Sequence, residues 1–255
     1  MTRRLVDDLG HPVVLDRPPR RIASLVPSLT EALAVTVPDR LVAATDWCTH
    51  PADLDVVRVR GTKNPDRRAI VDLAPDLVVA NREENRRLDV DRLRAAGVPV
   101  WVTVIESLDD ALRSMSRLFA DVLEVAVPEW LLTAADEWAR PVPQPELRVV
   151  VPIWRDPWMV VGARTFTGDL LSRLGLVNLF GEDEQRYPHV ELGRLQAMEA
   201  DAVLLPDEPY VFTADDGPEA FPGVRTVLVP GRELTWYGPS LATARGSVSR
   251  QVRGG

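Results

Sequence analysis

Trp47, Cys48 and His50 sit together after an apolar run, and five further short clusters repeat that arrangement. They are Thr62, Lys63 and Asn64; Asn81, Glu83 and Glu84; Trp154, Arg155 and Trp158; Tyr187 and His189; and Trp236 with Tyr237. Each is expected in a loop that follows a strand. Aromatic rings with a few charges suit a flat ligand that is partly apolar and partly anionic. Trp47, Trp154, Trp236 and Tyr237 would supply flat contact, Lys63 and Arg155 would meet anionic groups, and Tyr187 and His189 would line another wall. The alternative for each indole is half-buried packing, and for each cation a solvated loop charge.

Catalysis and metal chemistry find less support. Cys48-Thr-His50 offers two donors, but the only three histidines are at 11, 50 and 189, and a stable transition-metal site needs three or four ligands. No protein-held metal is expected; His50 or His189 as axial ligand to a metal carried inside a cofactor stays open. There is no Gly-x-Ser-x-Gly elbow, Cys48 lacks an orienting third group, and no phosphate-binding glycine loop occurs. No catalytic residue is expected. Glu83 and Glu84 read either as part of a site or as favourable charge at a helix start.

The elements that must position these residues alternate. Ile22-Ala-Ser-Leu-Val26 is an apolar run that stops at Pro27, and Ser28-Leu-Thr-Glu31 has the spacing of a capping box. The pattern predicts strand 22–26 and helix 28–35, with Ser28 and free N–H groups at the carboxyl edge of a sheet. A hairpin is expected over 5–15, turning near Gly10. Strand 41–45, a helix starting at Asn64-Pro65-Asp66, strand 77–80, a helix from Glu83 to Ala96 closed by Gly97, and strand 98–104 follow. Such alternation implies a mostly parallel sheet covered on both faces.

Ser107 caps a further helix with an apolar stripe at Leu108, Leu112, Met115, Leu118 and Phe119. Pro128 opens another, ending near Arg140, and Pro141-Val-Pro-Gln-Pro145 is stiff and extended. Strand 147–153, helix 166–174, strands 202–205 and 225–229 and a last helix near 240–250 complete the chain. Asp72–Ala80 and Ala197–Leu205 both run from a helix end into a buried strand, which echoes one lobe in the other. The expected fold is α/β with two lobes, 1–106 and 141–255, joined by a helical segment 107–140, with a cleft between them.

The 255 residues carry a net charge of −8, which argues against a nucleic-acid footprint. A single cysteine excludes an intrachain disulfide. No apolar leader follows Met1-Thr-Arg-Arg and no segment approaches a membrane span, so a cytoplasmic location is expected.

Pro18–Glu31, Gly61-Thr-Lys-Asn64, Ala74-Pro-Asp-Leu-Val-Val-Ala80 and Ala96-Gly-Val-Pro-Val-Trp-Val102 resemble the helical-backbone (class III) periplasmic substrate-binding proteins. That family serves ABC importers of vitamin B12, haem and ferric siderophores. The resemblance implies two α/β lobes, a rigid helix bridging them, a shallow cleft and no catalysis. It implies a metal-chelate or corrinoid-like ligand that carries its own cobalt or iron, with no further cofactor.

Carried over by position, the resemblance places pocket aromatics at Trp47 and Trp236 only; together with the loop residues read above, the expected ligand contacts are Ser28, Trp47, Lys63, Asn64, Asn81, Glu83, Trp154, Arg155, Tyr187, His189, Trp236 and Tyr237. Thr62 and Asn81 stand where corrinoid-binding members have aromatics, which favours a more polar ligand. The two docking glutamates those members offer an ABC permease align with Arg68 and Gly238, which suggests a member uncoupled from an importer. The alternatives are an exported component of a B12 or iron-siderophore importer, and a cytosolic corrinoid- or tetrapyrrole-handling enzyme.

Overall fold

Residues 2–254 are described in a computed structural model. The chain divides into two compact units. The first comprises the residues up to Ile105, Leu112–Leu132 and Tyr237–Pro239, and the second Glu106–Ala111, Thr133–Trp236 and Ser240 onward.

Unit 1 begins with an antiparallel hairpin, β1 (Arg3–Val6) and β2 (Pro12–Leu15), turning through Gly10 at φ 79°. Then come β3 (Ile22–Ser24), α1 (Pro27–Thr36), β4 (Leu41–Ala44) and β5 (Val57–Arg58). A small antiparallel ladder, β6 (Arg60–Gly61) with β7 (Asn64–Pro65), precedes α2 (Arg67–Asp72). β8 (Leu77–Asn81), α3 (Arg87–Ala95) and β9 (Val100–Thr103) complete the sheet, whose order is β5-β4-β3-β8-β9 with every pair parallel.

Every residue of β8 and β9 is buried. Their runs of valine fit strands covered on both faces. Ala23, Leu25, Val78, Ala80, Leu93 and Val100 share one core.

α4 (Leu108–Arg117) starts where expected, with Ser107 Oγ accepting from Asp110 N at 3.1 Å. Its buried stripe is Leu108, Ala111 and Met115, continued by Leu118 and Phe119 in a wider turn. α5 (Glu129–Trp138) opens on the Pro128 carbonyl, which accepts from Leu131 N at 2.9 Å.

Unit 2 holds β10 (Leu147–Val150), β11 (Pro152–Trp154), β12 (Met159–Val160), α6 (Phe166–Arg173) and β13 (Leu176–Asn178). α7 (Leu192–Gln196), β14 (Ala202–Pro206), β15 (Thr226–Val229), α8 (Gly231–Thr235) and α9 (Leu241–Arg253) follow. Its sheet is parallel, in the order β13-β10-β14-β15. Val150, Val160, Val203, Leu205 and Phe221 lie in its core. The echoed segments prove to be equivalent in role: β8 and β14 are both fully buried strands with parallel neighbours on either side.

Four local expectations are corrected. Pro27 takes the first helical position of α1, so Ser28 falls one residue inside the helix; Val26 is the N-cap and no side chain caps it. The predicted capping box is therefore absent. Asn64-Pro65 is strand rather than helix start, and Asp66 caps α2 by accepting from Ala69 N at 3.1 Å. Glu83 and Glu84 precede α3 rather than open it, because the Asn81 and Asn85 side chains hold 81–85 as a turn. The strand expected over 147–153 breaks at Val151, where β11 leaves the sheet to pair antiparallel with β12 across an irregular register.

Candidate functional site

Parallel strands deliver their following loops to one edge, and in unit 1 a buried polar layer fixes those loops. Thr30 Oγ1 donates to Ser24 Oγ at 2.8 Å and stands 3.0 Å from Cys48 Sγ, which also lies 3.1 Å from Thr45 Oγ1. Arg58 Nη1 donates to the carbonyls of Thr45 at 3.0 Å and Cys48 at 2.8 Å, pinning the loop after β4. Asn81 Nδ2 donates to Thr103 Oγ1 at 3.0 Å, while Asn81 Oδ1 accepts from Glu83 N at 2.8 Å. Asn85 reaches the carbonyls of Leu25 and Thr62 at 3.1 and 3.0 Å. Burial holds the Cys48 thiol above its ordinary titration range despite hydrogen bonds to Thr30 and Thr45.

Above this layer the residues are open. Trp47 is 68% exposed. Its Nε1 lies 3.2 Å from where a Cβ on Gly61 would sit, so the indole rests against the β6–β7 ladder. Lys63 at the tip of that ladder donates to the Glu83 carbonyl, and Asn64 beside it is exposed. Loss of hydration raises the Glu84 carboxyl, with Lys63 opposing and Glu83 adding to the shift. Trp47, Lys63, Asn64 and Glu83 thus gather on one sheet edge. Ser28 and Asn81 do not join them as surface groups: both are buried, and the Asn81 amide is spent on Thr103 and the turn after β8.

Unit 2 presents a second aromatic platform. Trp154 is 44% exposed and meets Tyr210 edge-on, with ring centroids 5.6 Å apart and planes at 78°. Tyr210 packs on Phe212 at 4.7 Å. Its hydroxyl donates to Asp216 Oδ2 at 2.7 Å, and that bond holds the phenol protonated above its ordinary range.

Arg155 lies over the Trp158 ring, 5.3 Å from the centroid, and donates to Glu219 Oε1 at 2.8 Å and to Asp216. Asp156 Oδ2 is 3.5 Å from its Nε. Arg155 is therefore already matched by carboxylates, which an anionic ligand would have to displace.

Trp236 and Tyr237 are 6% and 7% exposed, and the Trp236 indole N–H donates to Glu208 Oε2 at 2.8 Å with Arg232 over its ring. As the chain stands, neither ring presents an open flat face. His189 is exposed and bridges Met159 through the backbone, with Tyr187 half-buried nearby in sequence. Among the described residues no group of three or more His, Cys, Asp or Glu side chains is placed to hold a metal ion.

Tyr210 and Asn85 were not singled out in the sequence. Tyr210 carries the same signal as the other aromatics, a ring just past a buried strand. Asn81 and Asn85 flank a turn four residues apart, the pattern of amides closing backbone N–H groups. Gly238 is buried, and a Cβ there would lie 3.0 Å from the Ser28 carbonyl oxygen. A side chain at position 238 would crowd that carbonyl, so the glycine here fits tight packing as well as the loss of a docking group. Arg68 is exposed and pairs with Asp72 at 3.8 Å.

No family model matches the chain. It is 25% identical over 205 residues to the vitamin B12-binding protein of Vibrio cholerae, covering 78% of this chain and 71% of that one. To the vitamin B12-binding protein of Pectobacterium atrosepticum it is 24% identical over 199 residues, covering 73% and 71%. Among solved structures, the periplasmic vitamin B12-binding protein BtuF of Vibrio cholerae matches with a TM-score of 0.74 at 20% identity, over 92% of this chain and 97% of that one. The periplasmic haem-binding protein BhuT, in complex with two haems, matches with a TM-score of 0.74 at 24% identity, over 91% and 97%. CeuE of Helicobacter pylori matches with a TM-score of 0.79 at 14% identity, over 98% and 88%.

Proposed function

We infer that this chain, a helical-backbone (class III) substrate-binding protein by fold and by its relatives, binds a metal chelate or corrinoid of the B12, haem or ferric-siderophore class. The relatives and solved neighbours just described are named for the binding of vitamin B12 or haem. The observation that carries the reading is the exposed Trp47 on a braced sheet edge, matched in the second unit by the open Trp154–Tyr210 pair. Large exposed rings held by rigid backbone favour a flat ligand, because little ordering entropy is lost on contact.

Binding leaves the ligand chemically unaltered in this reading. Titration calorimetry with cyanocobalamin, haemin and ferrichrome tests it, with recovered ligand checked by mass spectrometry. Uptake of one probe, weakened by Trp47→Ala or by Trp154→Ala, supports it. No heat with any of the three, or ligand returned altered, sinks it.

Delivery to an ABC permease is a second reading, favoured by solved neighbours that are named as periplasmic binding proteins, although the buried Gly238 offers no docking glutamate. Among the described residues no helix is long and apolar enough to cross a membrane. Co-purification with the permease encoded beside it, if one is, tests this reading; Arg68→Glu strengthens the association if that exposed position faces the transporter.

A further inference from the structure

Three loops of the unit 1 sheet edge meet on Asn85, a side chain only 5% exposed. Asn85 Oδ1 accepts from Asn81 N at 2.9 Å, and Nδ2 donates to Leu25 O at 3.1 Å and to Thr62 O at 3.0 Å. One amide thus uses its acceptor and both donor hydrogens. Its partners lie after β3, at the β6–β7 tip, and at the end of β8.

The β6–β7 ladder needs such help. It contains two residue pairs, Arg60 with Pro65 and Gly61 with Asn64, and so short a two-stranded ladder is not stable alone. The loop carrying Trp47 leans on it, since Asp46 N donates to Arg60 O at 2.8 Å and the indole lies against Gly61. The exposed indole rests on the ladder; Val59 N, donating to Ala44 O at 3.0 Å, holds the ladder's base, and Asn85 holds its tip at Thr62.

We propose that Asn85 is a positioning residue for ligand binding, fixing the β6–β7 tip and through it Trp47 and Lys63, without touching the ligand. The ligand half of this proposal rests on the reading of that sheet edge given above. Only a carboxamide of this length supplies one acceptor and two donors here. An aspartate keeps the acceptor for Asn81 N but sets a carboxylate oxygen against two carbonyl oxygens.

The test compares wild type, Asn85→Asp and a control, Asn178→Ala. Asn178 braces a loop of unit 2 in the same way, donating to Val161 O at 3.0 Å and accepting from Phe180 N at 3.1 Å. Hydrogen exchange is followed over residues 58–66, and each protein is titrated with cyanocobalamin, haemin and ferrichrome. Asn85→Asp is expected to speed exchange over 58–66 and to weaken the probe that wild type binds by about tenfold. Asn178→Ala is expected to lower the melting temperature and move neither readout.

Unchanged exchange over 58–66 in Asn85→Asp overturns the proposal, as does an equal loss of affinity in the control. If Asn85→Asp does not fold, Asn85→Ser, which shortens the side chain and adds no charge, carries the same readouts. If wild type binds none of the probes, the ligand reading falls, and the exchange comparison alone then upholds or overturns the role of Asn85 at the tip.

Discussion

The Trp236 indole donates to Glu208 Oε2 at 2.8 Å inside unit 2, with the ring 6% exposed. Trp47, read the same way in the sequence, is 68% exposed. The two indoles should therefore separate stability from binding. Trp236→Ala is expected to cost about 3–5 kcal/mol in urea unfolding, through the cavity and the lost partner of Glu208. Trp47→Ala should stay within about 0.5 kcal/mol of wild type and act on ligand affinity instead.

Asp76 ties the approach to β3 to the approach to β8. Its carboxylate accepts from Arg20 N at 2.9 Å and Arg21 N at 3.0 Å, and from Arg17 Nη2 at 3.1 Å. Loss of hydration pushes its titration up, but these bonds outweigh it and hold the group below its ordinary 3.8. The folded form thus releases the proton more readily than the unfolded one. The stabilisation is complete above about pH 4 and fades as pH falls through the depressed value. Asp76→Ala should cost about 1–2 kcal/mol at pH 7, and the gap to wild type should shrink below pH 3.8 in acid-unfolding curves.

Glu84 has the opposite sign. Burial raises its titration above the ordinary 4.5, and Lys63 offsets only part of that. The folded state then holds a proton that the unfolded state has released, so this group's contribution worsens as pH rises through that window. Glu84→Gln should raise the melting temperature at pH 7 and lose its advantage below pH 4.5. Lys63→Met should widen the effect by removing the counter-charge.

Glu219 Oε1 accepts from Arg155 Nη1 at 2.8 Å, and that bond holds the Glu219 carboxyl below its ordinary range. Both groups are partly solvated, so a double-mutant cycle on Arg155→Met and Glu219→Gln should give a coupling of no more than about 1 kcal/mol at pH 7. The coupling should vanish as pH falls through the depressed Glu219 titration. The larger consequence concerns recognition: Glu219→Gln frees part of the guanidinium and should improve the binding of anionic chelates relative to neutral ones, measurable by competition.

The alternation of apolar runs and helices carried most of the fold, because strands covered on both faces, such as Leu77–Asn81, leave an unbroken apolar trace. What the sequence hid was one residue deep. Whether Ser28 caps a helix or lies inside it turns on Pro27 taking the first helical position. Whether Asn64-Pro65 opens a helix or closes a ladder turns on pairing with Arg60-Gly61, which local pattern does not encode. The site was legible as a set of loops but not as exposures. Trp47 and Trp236 present the same residue type after a strand or short helix, and only packing against Gly61 or Glu208 separates an open ring from a sealed one. Arg155 looked like a free cation because Asp216 and Glu219 lie more than sixty residues away.

The sulfur of Cys48, wholly enclosed and flanked by two threonine hydroxyls, gives the chain an internal stopwatch. As the one thiol present, it can react with an alkylating reagent only in molecules whose first unit has opened around it, locally or as a whole. The labelling rate in plain buffer then reads how often that unit breathes, without denaturant, dye or engineered probe.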